Sequence, residues 1–212
     1  LIPVLGILGL CLGLTISRGS LAGLAGAVIL ISVLRYRKLL PWFVVAVMLI
    51  LVLPWTQSYI GHFVEGVQGQ DLSTQMRMGE YRDALTLILR YPILGVGFAG
   101  SPDIDTYIGV ANVYLLIAQE MGLVGLTGFL VVIGTVLARF WRNRAALVPR
   151  PRLEPLWYGY HAAIVGGLIG GVFDRYFFSL DFHHSVTLFW LLVGLATAAT
   201  QLLVSAPEPA AS

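Results

Sequence analysis

Six long apolar stretches run along the chain, at residues 1–16, 21–34, 39–53, 113–140, 157–173 and 186–204. A helix that crosses a bilayer needs about 20 mostly apolar residues. The pattern therefore predicts an all-α integral membrane protein with about six transmembrane helices, the first of them truncated. The second and third are short and draw on flanking residues such as Tyr36 and Trp42 at the interface.

The stretch from 54 to 111 breaks this rhythm and reads as a long loop with internal order. Asp71 or Ser73 can cap a helix over STQMRMGEYRDALTLILRY. Tyr81, Leu85, Ile88 and Leu89 fall on one apolar stripe, and Arg77, Glu80 and Asp83 lie away from it. Such a helix lies along a membrane surface. Pro92 stops it, Gly95-Val96-Gly97 makes a tight turn, and Asn112 opens the next helix. Gly122, Gly125 and Gly128, and again Gly166, Gly167, Gly170 and Gly171, are read as close helix packing rather than as hinges.

Composition agrees with the pattern. The 212 residues are 58% hydrophobic and 11% charged, against about 25% charged in a soluble domain, and mean hydropathy is +0.84. A net charge of +2 is too small to imply nucleic acid. The single cysteine, Cys11, excludes an intramolecular disulfide. No charged leader with a cleavage site opens the chain, and it starts inside an apolar run. It therefore reads as the C-terminal part of a longer protein: one polytopic domain over 1–204, with a disordered cytoplasmic tail at 205–212.

Charge sets the expected orientation. Arg35, Arg37 and Lys38, with Arg139, Arg142, Arg144, Arg150 and Arg152, belong on the cytoplasmic side. Alternation then puts the 54–111 loop outside, together with the remaining arginines: Arg18, Arg77, Arg82, Arg90 and Arg175. Five arginines on an outer face want an anionic partner.

No metal-ligand spacing is present: His62, His161, His183 and His184 form no pair at i,i+4 around a carboxylate. There is no phosphate-binding loop and no G-x-S-x-G nucleophile motif. The chemistry left is arginine, carboxylate and histidine at the outer surface. Arg18 alone is equally consistent with a side chain snorkelling to the interface. Arg77 can pair with Glu80 three residues on, and Asp174 with Arg175. Arg82 and Arg90 read as solvent-facing. Together, however, Arg18, Arg77 and Asp174 end three elements on one side of the membrane. A guanidinium fork matches phosphate oxygens with two parallel hydrogen bonds, so a diphosphate at headgroup level would account for both arginines.

Four stretches carry a resemblance: LTISRGSLAGL, RMGEYRDALTLILRYPILGVGF, NVYLLIAQEMGLVGLTGFL and GVFDRYFFSLDFHHSVTLFWLLVGLA. In order and spacing they resemble the C-terminal half of the O-antigen ligase and polymerase family, bacterial membrane glycosyltransferases of surface polysaccharides such as lipopolysaccharide. The resemblance covers nearly the whole chain. It implies a GT-C-like fold in the inner membrane, with the active site on the extracytoplasmic face. The implied donor is a glycan on a polyprenyl diphosphate such as undecaprenyl diphosphate. A glycan or lipid acceptor hydroxyl attacks the anomeric carbon and the lipid diphosphate leaves. Besides membrane lipids no further partner is implied, and neither cofactor nor metal is expected, since arginines can stabilise the leaving group. Carried over, Arg18, Arg77 and Arg175 bind the diphosphate, and Glu80, Tyr81 and Asn112 support the site.

One departure stands out. Ligase relatives often carry a histidine, suited to act as general base, just before the asparagine that opens the fourth helix. Here that residue is Ala111. Asp174, His183, His184 and Asp105 are the candidates to replace it. The family's closing Asp-His-Tyr reads Asp174-Arg175-Tyr176. Two alternatives stay open: a transporter of lipid-linked polysaccharide, and a family member that has lost catalysis. A transporter should show polar residues or broken helices near the midplane, whereas the middles of these helices are apolar.

Overall fold

A computed structural model of the chain describes residues 7, 9, 11–12, 17–52, 72–98, 109–144, 153–178 and 183–205. Most of the first apolar stretch, most of the tail, His62 and Asp105 lie outside the described residues. Those described form helices and turns with no strand. The helices are α1 (Arg18–Leu34), α2 (Leu39–Val52), α3 (Leu72–Arg90), α4 (Val113–Asn143), α5 (Glu154–Gly170) and α6 (His183–Ser205).

Two of them have the length and apolar character of a membrane span, Val113–Asn143 and His183–Val204. Of the other expected spans, α1 and α5 have 17 described residues each and α2 has 14, at or below the lower end of the range of about 17–25 for a crossing. The fifth stretch ends earlier than expected: α5 stops at Gly170, and the Gly171 N–H closes onto the Gly167 carbonyl. A Gly-Gly pair has little helix propensity, so residues 171–173 turn rather than extend the helix.

The chain divides into two compact units. The first comprises residues 1–27, 127–171 and 176–212. Here Ser17 caps α1, its hydroxyl oxygen accepting the Ser20 N–H at 3.3 Å. The expected glycine packing is present: a Cβ on Gly23 would sit 2.6 Å from the Gly166 carbonyl oxygen, and one on Gly167 would sit 3.3 Å from the Phe189 ring. Phe140 stacks on Trp157 and His161, with ring centroids 4.5 and 4.4 Å away. The Trp157 indole N–H donates to the Thr200 hydroxyl at 2.9 Å, satisfying a buried donor in an otherwise apolar core.

The second unit comprises residues 28–126 and 172–175. It corrects two expectations. Along α3 the packed stripe is not Tyr81-Leu85-Ile88-Leu89: Ala84 and Leu87 are fully buried, whereas Leu85 is 50% and Leu89 81% exposed. In a lipid setting an outward Leu is not penalised, so hydrophobicity alone does not say which apolar residues meet protein. The second correction is Gly122, which packs no neighbouring helix but breaks α4, with φ 66° and ψ −173°. In the first unit, Gly128 also packs no neighbour, with open space where its Cβ would be.

The break is stitched by the turn after α3. Pro92 ends that helix as expected, and Gly95 and Gly97 take left-handed φ values of 69° and 79°. Their segment runs along the gap in α4. Val96 and Gly97 N–H groups donate to the Gln119 and Glu120 carbonyls, each at 2.9 Å. Leu123 N–H donates to the Pro92 carbonyl at 2.8 Å and Val124 N–H to the Ile93 carbonyl at 3.4 Å. Backbone groups freed by the break thus find partners within the protein. From Leu123 to Asn143 the helix is still long enough, at about 1.5 Å per residue, to cross a hydrocarbon core of about 30 Å.

Candidate functional site

The site grows out of the α3 stripe. Continuing the buried positions Ala84 and Leu87 toward the N-terminus at helical spacing reaches Glu80 and Arg77. Both therefore project toward the packed side of α3 and meet backbone from two other segments. Glu80 is half-buried, and its Oε2 accepts the Ala111 N–H at 3.2 Å. Arg77 donates through Nη1 to the Phe173 carbonyl at 3.5 Å.

Ala111 immediately precedes α4. Asn112 caps that helix as the sequence predicts, its Oδ1 accepting the Tyr114 and Leu115 N–H groups at 2.9 and 3.0 Å. Its amide has a second use, donating to the Val172 carbonyl at 3.0 Å. The 172–175 strip is thus held to α3 by Arg77 and to the start of α4 by Asn112. The next residues of the strip are Asp174 and Arg175, and the Arg175 N–H donates to Asp174 Oδ1 at 2.6 Å.

These pieces form an open cavity of about 320 Å³ lined by Met76, Arg77, Glu80, Gly109, Ala111, Asp174 and Arg175. Two guanidiniums and two carboxylates share it. Among the described residues neither Arg77 nor Arg175 is closed into an ion pair, so both cations are available to an anion. The N-terminus of α4 beside Ala111 adds the positive end of a helix dipole. Arginines not closed into an ion pair are suited to phosphate oxygens.

A sequence profile of the O-antigen ligase family matches residues 3–130. The chain belongs to that family. The match spans α1 to α3 and the break in α4, and so includes Arg77, Glu80, Ala111 and Asn112. No curated protein and no solved structure gives a significant match. Membership in the O-antigen ligase family gives the chain a membrane-embedded, glycosyltransferase-type role in surface-polysaccharide synthesis.

Of the residues nominated from sequence, the cavity of this O-antigen ligase family member gathers Arg77, Glu80, Asp174 and Arg175, with Asn112 bracing its wall. Tyr81 is half-buried on α3 beside Glu80 and does not line the cavity. Arg18 starts α1, and its side chain lies outside the described residues. His183 and His184 open α6 with their rings 5.9 Å apart, both exposed, and they belong to the other unit. Sequence reasoning missed Met76 and Gly109 in the lining, and the direct bond from Glu80 to Ala111. The signal was present in the i,i+3 spacing of Arg77 and Glu80, once the α3 stripe is taken through Ala84 and Leu87.

Proposed function

We propose that the protein transfers a glycan from a polyprenyl-diphosphate carrier to an acceptor hydroxyl, acting at the extracytoplasmic face of a multi-pass bacterial inner-membrane domain with a GT-C-like fold. The observation that carries this reading is the pairing of Arg77 and Arg175 across one cavity with carboxylates beside them. The two guanidiniums hold the diphosphate and stabilise the charge that develops as it leaves. A cavity carboxylate takes the acceptor proton, Asp174 being the one nominated from sequence. No step is assigned to a metal, and His183 and His184 are given no part.

The break at Gly122 is the one observation that favours a transporter, because broken helices hold substrate ions in such proteins. There, however, the freed backbone groups face the transported ion. Here the Gln119 and Glu120 carbonyls and the Leu123 and Val124 N–H groups are taken by the 92–97 segment. This supports a structural splice rather than an ion site.

Proteoliposomes of the full protein with a lipid-linked oligosaccharide test the reading. Acceptor-dependent appearance of free lipid diphosphate, one per glycan transferred, is the expected result. Movement of intact donor across the bilayer without such release would replace the enzyme with a transporter.

A further inference from the structure

The cavity holds two carboxylates in different states of constraint. Asp174 is exposed, on an irregular strip, and among the described residues its bond is to the backbone of its own neighbour. Glu80 is half-buried, on a regular helix, and its bond reaches 31 residues along the chain to the residue that precedes α4. That bond uses Oε2 and leaves Oε1 without a partner among the described residues. Groups that act on a reacting atom are placed most sharply when regular elements and a fixed hydrogen bond hold them.

Resting on the transfer reading above, we infer that Glu80 is the catalytic base that takes the acceptor's hydroxyl proton, and that Asp174 is a positioning residue for Arg175. Anchored through Oε2, the carboxylate presents Oε1 to the cavity, on the same helix face as Arg77 three residues earlier. Ala111 beside it has only a methyl group, so the side chain at the head of α4 leaves room for an acceptor sugar. The acceptor oxygen bonds to the anomeric carbon while its proton passes to Glu80 Oε1. The bond from that carbon to the diphosphate oxygen breaks, and its electron pair stays on the diphosphate held by Arg77 and Arg175. Glu80 then returns the proton to solvent. Asp174 acts earlier. By accepting the Arg175 N–H it fixes the turn that aims the Arg175 side chain at the donor.

The two roles separate in steady-state kinetics of the full protein with a lipid-linked oligosaccharide donor. Glu80→Gln keeps a carbonyl oxygen for the Ala111 N–H but cannot accept a proton. It should lower kcat by about 10²–10⁴-fold, the range for a general base, with donor KM within a few-fold of wild type. Asp174→Ala should do the reverse, raising donor KM at least tenfold with kcat held within a few-fold. Formate should partly restore turnover to Glu80→Ala, where the lost carboxylate leaves space. A kcat for Glu80→Gln within a few-fold of wild type, or a kcat loss found in Asp174→Ala instead, overturns the assignment and leaves the transferase reading standing. Failure of wild type to release lipid diphosphate strikes that reading itself. Unchanged donor binding by Glu80→Gln shows that the variant is folded, and if it does not fold, absence of formate rescue in Glu80→Ala overturns the role.

Discussion

Replacing Gly122 with alanine tests the break in α4. At φ 66° and ψ −173° the backbone lies where essentially only glycine goes, and a side chain there costs about 1–3 kcal/mol in strain. Space is also missing: an alanine Cβ would run into the Ile93 carbonyl and come within 2.6 Å of the Leu94 nitrogen. Both obstacles are backbone, so no rotamer change relieves them. To accept the methyl group, the 92–97 segment must withdraw and lose bonds to Gln119 and Glu120, each worth about 0.5–1.5 kcal/mol net. Together these terms give roughly 3 kcal/mol, or about 10 °C in Tm for a domain of this size. Scanning fluorimetry of the purified protein in detergent measures it. Gly128→Ala is the internal control: it is helical, with nothing within 4 Å of its Cβ, and should be neutral or stabilising by up to about 1 kcal/mol. A Gly122→Ala protein that melts within a degree of wild type would refute both the break and its stitching.

Thr200→Val removes the acceptor of the buried Trp157 indole N–H and should cost about 1–3 kcal/mol, read by the same melts; no loss would mean that the donor finds another partner. Arg77→Lys and Arg175→Lys, both in the cavity, each keep the charge but lose the two-point fork. Each should cut glycan transfer at least tenfold, while the double variant loses less than the sum because both act on one group. Fully additive losses would separate them, and Arg82→Lys, on an exposed residue outside the cavity, should be nearly silent. In a Cys11→Ser background, a cysteine at Ser101 should label with an impermeant reagent from outside the cell and one at Asn143 should not; the opposite pattern would invert the orientation.

Local signals were legible in the sequence wherever one residue type dictates a geometry. Pro92 ends α3, Asn112 caps α4, and Gly95 and Gly97 form the turn between them. Arg77, Glu80, Asp174 and Arg175, nominated from charge and the family resemblance together, line one cavity. Signals that depend on partners distant in sequence were not legible. Gly122 has the spacing of a packing glycine, and only the approach of Ile93 turns it into a break. The α3 stripe was read one position off, because Leu85 and Leu89 are as apolar as Leu87 but face outward. That error put Glu80 and Arg77 on the outer side of the helix and hid the bond to Ala111.

The central claim is that Arg77 and Arg175 grip a diphosphate in this cavity. A direct measurement is the titration of a non-cleavable diphosphonate analogue of the lipid-linked donor onto the full protein in detergent, comparing wild type with Arg77→Lys and Arg175→Lys. Loss of one guanidinium fork should raise Kd at least tenfold in each variant, in line with about 1.5–3 kcal/mol for a hydrogen bond to a charged group. A Kd that stays at the wild-type value in both would place the diphosphate elsewhere and contradict the account.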